Sequence, residues 1–468
     1  MFSSKFIQFF LQLDRRERQN LKLWVNSPIA NAREDVVSLF QYLFSKREIT
    51  KENTEKRTVF AFVYLQEPYE EQKMRYLMSF ASKCIESFFA YFNWQQTPQM
   101  EIDKIHYINE KQLNSYCHQQ IVEVRHQLKQ QPLRNSQHYW YAFQLEVEEY
   151  NLSSKNKRNI DFNLQEVSNQ LHYFTIAEIL KQACIAISIE RVSAQSFDFP
   201  LLKSCLALVE ETPTLKEIPA IYMYFVCYRL SVDGGDDNFE ELDALLHHNE
   251  AHFTQSEIKD VFIIALNHCI KELNLGKSLY AQHAYRLYLR GLEKGFLLEN
   301  GMLSRFTFKN IAFIGIKKLR DYEGVLTFIH NYQHYLHENY REGTVMFNMA
   351  TLFVEQKRYE KAMPILQTIE FEDVLWNINA KSMLLRIFYE EQEFESMLMV
   401  CNSFKQYLKR QKEIGEYKIS YLNLIKYCEK LLKHNGCGNL KKSKLLLIAG
   451  NESNLFEKEW VLEMVRKL

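Results

Sequence analysis

Between Arg341 and Arg410 the chain reads twice through one phrase. Met349-Ala350, Phe353, Tyr359-Glu360-Lys361-Ala362, Leu366 and Ile369 return 35 residues later as Leu384-Leu385, Phe388, Phe394-Glu395-Ser396-Met397, Cys401 and Phe404. A recurrence of this length is the period of a helical hairpin. Small residues such as Ala350 and Ala362 let two antiparallel helices approach, and Phe353 and Tyr359 fill the space beside them. Asp321-Tyr322-Glu323-Gly324-Val325 lies 37 residues before the Tyr359 phrase and carries the repeat backwards. The periodicity predicts five hairpins: 218–230 with 239–248, 256–273 with 278–296, 303–318 with 322–336, 345–356 with 359–369, and 380–391 with 394–408.

The segment Phe353-Val354-Glu355-Gln356-Lys357-Arg358-Tyr359-Glu360-Lys361-Ala362 resembles the tetratricopeptide consensus, in which a Tyr closes the turn and an Ala follows three residues on. Lys357 stands where that consensus has Gly, which implies a looser turn, and Met397 replaces the small residue in the second copy. Phe388-Tyr389-Glu390-Glu391, Phe404-Lys405-Gln406-Tyr407-Leu408-Lys409-Arg410 and Tyr421-Leu422-Asn423 are similar to the C-terminal half of a helical-repeat family from Bacteroidota genomes. Val25-Asn26-Ser27-Pro28 and Leu39-Phe40-Gln41-Tyr42-Leu43 match it near the start. The family favours Ser-Pro-Tyr-Phe-Asn where this chain has Ser27-Pro28-Ile29-Ala30-Asn31. The resemblance covers the two ends and implies a fold and a compartment, with no catalytic residue.

A chain of 468 residues exceeds one compact core and divides into domains or an elongated stack. With only 13 Gly and 8 Pro, long helices and short turns are expected. The 33 Phe and 27 Tyr supply bulky filler between helices. Lys and Arg number 58, Asp and Glu 58, so the balance provides no electrostatic footprint for nucleic acid or an anionic membrane. Nine cysteines occur singly with no C-x-x-C pair, a pattern of reduced thiols in a cytoplasmic protein. Gln8 and Gln12 interrupt the apolar run of Phe6 to Leu11, so neither a secretory leader nor a membrane span is expected.

The predicted organisation is an N-terminal helical unit (1–95), irregular helical repeats (96–215), tetratricopeptide-like pairs (216–412) and C-terminal capping helices (413–468). In the first unit Asp14 is a good N-cap for a helix that ends at Ser27-Pro28. Helices over Val36–Leu43, Val59–Leu65 and Met74–Phe92 follow. Such short helices admit a DNA-reading helix-turn-helix, but Val59 to Leu65 is apolar around much of its circumference, which suits burial. One amphipathic helix is expected from Ile102 to Leu128, and Lys155-Asn156-Lys157-Arg158 falls in a polar connection. A break at Gly436-Cys437-Gly438 precedes a last helix begun by an Asn454-x-x-Glu457 capping box.

Few constellations carry chemistry. Gly276-Lys277-Ser278 imitates the end of a phosphate-binding loop, but position 271 is Lys and the preceding segment is helical. Asp233-Gly234-Gly235-Asp236-Asp237-Asn238 lacks Gly at the sixth position of a calcium loop and reads as an acidic turn feeding a helix N-terminus. His330, His334 and His337 are spaced to share one helix face, from which three imidazoles converge poorly on a tetrahedral metal. No metal, cofactor or catalytic residue is therefore expected. The sequence reading is an all-α, right-handed solenoid of antiparallel helix pairs acting as a non-catalytic scaffold for a protein or peptide; a regulator with DNA-contacting N-terminal helices is the alternative. The groove is expected along the first helix of each pair, with Met349, Phe353, Leu384 and Phe388 in the core and Asn348, Thr351, Lys381 and Arg386 pointing outward to a partner.

Overall fold

The computed structural model describes residues 1–65, 67–154, 162–190, 193–368, 374–411, 417–434 and 439–468. Among the described residues the regular structure is helical apart from one two-residue-per-strand hairpin, Leu298–Glu299 with Met302–Leu303. Asn300 and Gly301, both at positive φ, turn that hairpin, as a two-residue Asn-Gly loop does. Two compact units divide the molecule: Met1–Tyr228 with His248–Thr254, and Arg229–His247 with Gln255–Leu468. The basic run at 155–158 lies outside the described residues, as does the 436–438 break.

In the first unit, Asp14 caps the helix Arg15–Val25 through a capping box with Glu17, as its sequence requires. The apolar run at the start is itself a helix, Lys5–Gln12, whose Phe6, Ile7 and Phe10 are buried against Phe40 and its neighbours. The helix Lys56–Val63 buries Val59 and Phe60 but leaves Phe62 exposed, so it is less enclosed than its composition implies. The single helix expected from 102 to 128 is two, Pro98–Glu110 and Asn114–Gln130. Gln112 breaks it by adopting a left-handed φ of 62°, and the Leu113 N–H donates back to the Ile108 carbonyl. Neither Gly nor Pro marks that break, so periodicity alone runs through it. The same unit holds a polar cluster in which Arg125 binds Glu146 and Glu149, while His106 Nδ1 lies 2.9 Å from Glu148 Oε1.

In the second unit consecutive helices pack in pairs: Gln255–Asn274 with Leu279–Glu293, Glu338–Glu355 with Tyr359–Thr368, and Val374–Glu390 with Phe394–Arg410. Ala362 is fully buried in this packing. The first helices also touch one another, Arg305–Phe313 against Glu338–Glu355 and Glu338–Glu355 against Val374–Glu390. The turns between partners repeat in detail. Arg320, Lys357 and Gln392 all take left-handed φ, of 56°, 57° and 61°. In each turn the next N–H reaches back to a helix carbonyl: Arg358 to Phe353 at 2.8 Å, Glu393 to Phe388 at 2.8 Å, and Asp321 to Gly315 at 2.9 Å. Lys357 thus makes the tight left-handed cap without glycine, contrary to the looser turn its side chain implied. The Asp321 bond spans one residue more because the helix closes in a wide π-turn, Ile314–Leu319. That insertion accounts for part of the longer first period.

The C-terminal end departs from expectation twice. A further helix, Asn439–Asn451, follows the 435–438 segment. The last helix begins only at Lys458, and no capping box forms: Glu457 itself takes a left-handed φ of 51° and makes no side-chain cap. Its carboxylate is engaged elsewhere.

Candidate functional site

The four residues expected to face a groove occupy three different settings. Asn348 and Thr351 are buried, at 2% and 8% exposure, so their outward orientation does not hold. Asn348 Nδ2 donates to the Thr344 carbonyl at 2.8 Å, and Thr351 Oγ1 donates to the Phe347 carbonyl at 2.9 Å. Both satisfy themselves on their own helix backbone one turn back, which lets a polar side chain enter a packed contact. Thr351 also lies 3.7 Å from the Met383 sulfur on the next first helix. The physical reason is crowding: a first helix meets its partner and the first helices on either side, leaving little circumference free. Met349 and Phe353, assigned to the core, are correspondingly only partly buried. Lys381 turns to the second helix of its pair, with Nζ 5.4 Å from the Tyr407 ring centroid.

Arg386 belongs to a cluster that the sequence reading did not assemble. Its Nη1 lies 2.6 Å from Glu355 Oε1 and its Nε 3.2 Å from Glu390 Oε1. Glu355 also binds Lys317 Nζ at 2.8 Å, and Lys317 reaches Glu457 Oε1 at 2.9 Å. Tyr359 OH donates to Glu390 Oε2 at 2.5 Å, and Trp460 Nε1 donates to Glu390 Oε1 at 3.0 Å. Lys317, Glu355 and Glu390 come from the ends of three successive first helices, while Glu457 and Trp460 open the last helix of the chain. Successive spacings of 38 and 35 residues are the repeat period, so the period itself was the signal that could have joined them.

The electrostatics are those of a nearly closed ion network. Burial pushes the Glu355 carboxyl up, but Lys317 and Arg386 outweigh it and hold it below the usual carboxylate range. Glu390 is likewise held low against its burial by the Tyr359 and Trp460 hydrogen bonds and by Arg386. Burial opposes the charge on Lys317, yet Glu457 and Glu355 raise its pKa above the ordinary value. Glu355, Glu390, Lys317 and Arg386 are thus each favoured in their charged forms by the groups they pair with. The arrangement joins helices, its acids and bases bonded directly to one another.

Other candidates carry less. His330 lies on the helix Tyr322–Tyr332, His334 in the 3-10 turn Gln333–Tyr335, and His337 caps Glu338–Glu355 with Nδ1 accepting from the Asn339 N–H at 3.3 Å. They do not share a helix face, because the chain changes direction between them. Among the described residues no group of three or more His, Cys, Asp or Glu is placed to hold a metal. Lys277 is paired with Glu272 at 2.7 Å, and Asp236 accepts from Tyr280 OH at 2.5 Å, so both sequence imitations of ligand loops are spent on local contacts. The eight described cysteines are buried. Burial pushes the thiols of Cys184, Cys269 and Cys401 up to about 12, which disfavours the nucleophilic thiolate. In the first unit an open cleft of about 440 Å³ is lined by Leu23, Trp24, Ile29, Phe88 and Tyr91, with Trp24 stacked on Tyr91 at 4.7 Å. Its walls are aromatic, with no converging titratable groups. No described helix is long and apolar enough to cross a membrane. No protein-family profile, curated protein or solved structure matches the chain.

Proposed function

We propose that this chain is a non-catalytic protein-interaction scaffold whose second unit is a right-handed, tetratricopeptide-like stack of antiparallel helix pairs. The observation that carries the reading is the equivalence of Arg320, Lys357 and Gln392. Three successive turns adopt one left-handed geometry at the sequence period, which is how a repeating hairpin is built. A stack of this kind offers an extended face, and such faces serve peptide or protein binding. Against the DNA-contacting alternative weighs the pairing of basic residues in the N-terminal helices, Lys5 with Glu86, Arg33 with Asp35 and Lys56 with Glu71.

Affinity capture with chemical crosslinking and mass spectrometry tests this. Intermolecular crosslinks from captured proteins should concentrate on lysines between residues 305 and 451. An even spread over the whole chain would remove the case for the stack as the binding element.

A further inference from the structure

The cleft of the first unit, between Arg15–Val25 and Glu71–Gln95, has a firm wall and an aliphatic lip. Phe88, almost wholly buried, stacks on Phe92 at 5.2 Å, and Trp24 and Tyr91 stack on each other. Leu23 and Ile29, by contrast, are 74% and 99% exposed. Ile29 is nonetheless held in place. Asn31 Nδ2 donates to the Val25 carbonyl at 3.0 Å and to the Arg33 carbonyl at 3.1 Å, and the Asn31 N–H donates to the Ser27 carbonyl at 2.9 Å. The turn that carries Ile29 is thus tied on both sides, so the lip needs little ordering when something docks on it. A fixed apolar lip beside a cleft of about 440 Å³ has the dimensions of a ligand pocket.

Charge says what fits there. Arg16, Asn20 and Leu23 follow at helical spacing, so Arg16 continues the stripe that faces the cleft, and Arg15, Gln19 and Lys22 form the exposed stripe beside it. Arg15, Arg16 and Lys22 have no ion-pair partner among the described residues. The one acid of that helix, Glu17, is held in the capping box with Asp14, and no carboxylate lines the cleft. An apolar recess with this basic border complements a segment that carries carboxylates next to a large apolar side chain. A second copy would set basic border against basic border about a two-fold axis, which like charges oppose. Trp24 and Tyr91 stack on each other and the lip is aliphatic, which suits an apolar side chain better than a nucleobase. We propose that this cleft docks an acidic peptide segment of a partner protein, with one large apolar side chain of the peptide against Leu23 and Ile29 and its carboxylates on Arg15, Arg16 and Lys22. It is a second site, in the first unit, and stands apart from the stack.

The test uses the full chain and a random peptide library displayed on phage. Sequences recovered on wild type should carry clustered Asp or Glu beside Leu, Phe or Trp. The best of them, made as a fluorescent peptide, should bind by anisotropy and weaken as salt rises. Ile29→Glu sets an acid at the lip, and Arg16→Glu reverses one cation; each should weaken the peptide about tenfold or more. Lys409→Glu, an exposed reversal in the second unit, should leave it unchanged. Both test positions are exposed, so circular dichroism and urea midpoints should match wild type; should Ile29→Glu misfold, Arg16→Glu alone decides. A library that yields no binder, binders without acidic enrichment, or affinities unmoved by the folded variants overturn the proposal. Vesicles containing phosphatidylserine and a fluorescent duplex DNA are measured alongside, and binding of either that the same variants abolish overturns it by naming a different occupant. So does a dimer by light scattering that Ile29→Glu disperses. Crosslinks from captured proteins confined to lysines 305–451, with no peptide selected, would reject this site and leave the scaffold reading standing; peptide binding here with crosslinks spread evenly would do the reverse.

Discussion

Gln392 shows what a single residue contributes to a turn between helices. It is exposed and closes Val374–Glu390 at φ 61°, a conformation that costs a residue with a Cβ about 1–2 kcal/mol. Gln392→Gly removes that cost while adding freedom to the unfolded chain, so a net gain of about 0.5–1 kcal/mol is expected from urea midpoints. A loss of stability would mean that the turn does not hold this geometry in solution. Gly315 makes the opposite case. A Cβ there would lie 2.4 Å from Val325 Cγ2 and 3.2 Å from the Tyr285 ring. Gly315→Ala should therefore cost about 1–3 kcal/mol by overpacking, and Ala362→Leu, at a fully buried small site, a similar amount. Unchanged midpoints for both would show that the helices do not approach as described.

At the scale of elements, the cluster around Arg386 ties one helix pair to the next. Removing the guanidinium leaves Glu355 and Glu390 in a largely buried setting with fewer counter-charges, so Arg386→Ala should destabilise by about 3 kcal/mol. Lys381→Ala, which loses only a contact over Tyr407, should stay within about 0.5 kcal/mol. Equal effects in thermal melts would contradict the division between them. The same pair shows what was legible in the sequence. The elements were, because apolar periodicity and turn residues are local: Asp14, Pro28 and the Tyr359 phrase each place a boundary within a few residues. The facing of polar side chains was not, because it depends on how many neighbours a helix has. Asn348 and Arg386 look equally free in a helical wheel, yet one bonds its own backbone and the other bridges helices. The return of Glu457 and Trp460 was beyond local reading altogether, since their partners lie 140 and 70 residues away.

At the scale of the whole molecule, this network gives folding stability a pH dependence. Glu355 and Glu390 have folded pKa values below the ordinary 4.5, since their cationic and hydrogen-bonding partners outweigh burial. The unfolded chain therefore takes up protons first as pH falls. The stability they contribute is present above about pH 4.5 and is lost as pH drops through the lower folded values. Lys317 acts at the other limit: its folded pKa is above 10.5, so its contribution is complete below that pH and lost on rising through the folded value. Between these limits the network should leave stability flat. Glu355→Gln separates this from general acid sensitivity, because the amide cannot titrate yet keeps the shape of the side chain. At pH 7 the variant should be less stable by about 2–3 kcal/mol, having left Lys317 and Arg386 short of an anion. Below about pH 4.5 the unfolded wild type takes up a proton that its folded state resists, so the gap between the two proteins should narrow as pH falls. Urea midpoints followed by far-UV circular dichroism at pH 7, 5 and 3 decide it: a gap of constant size across that range would mean that Glu355 is not held ionised by its partners.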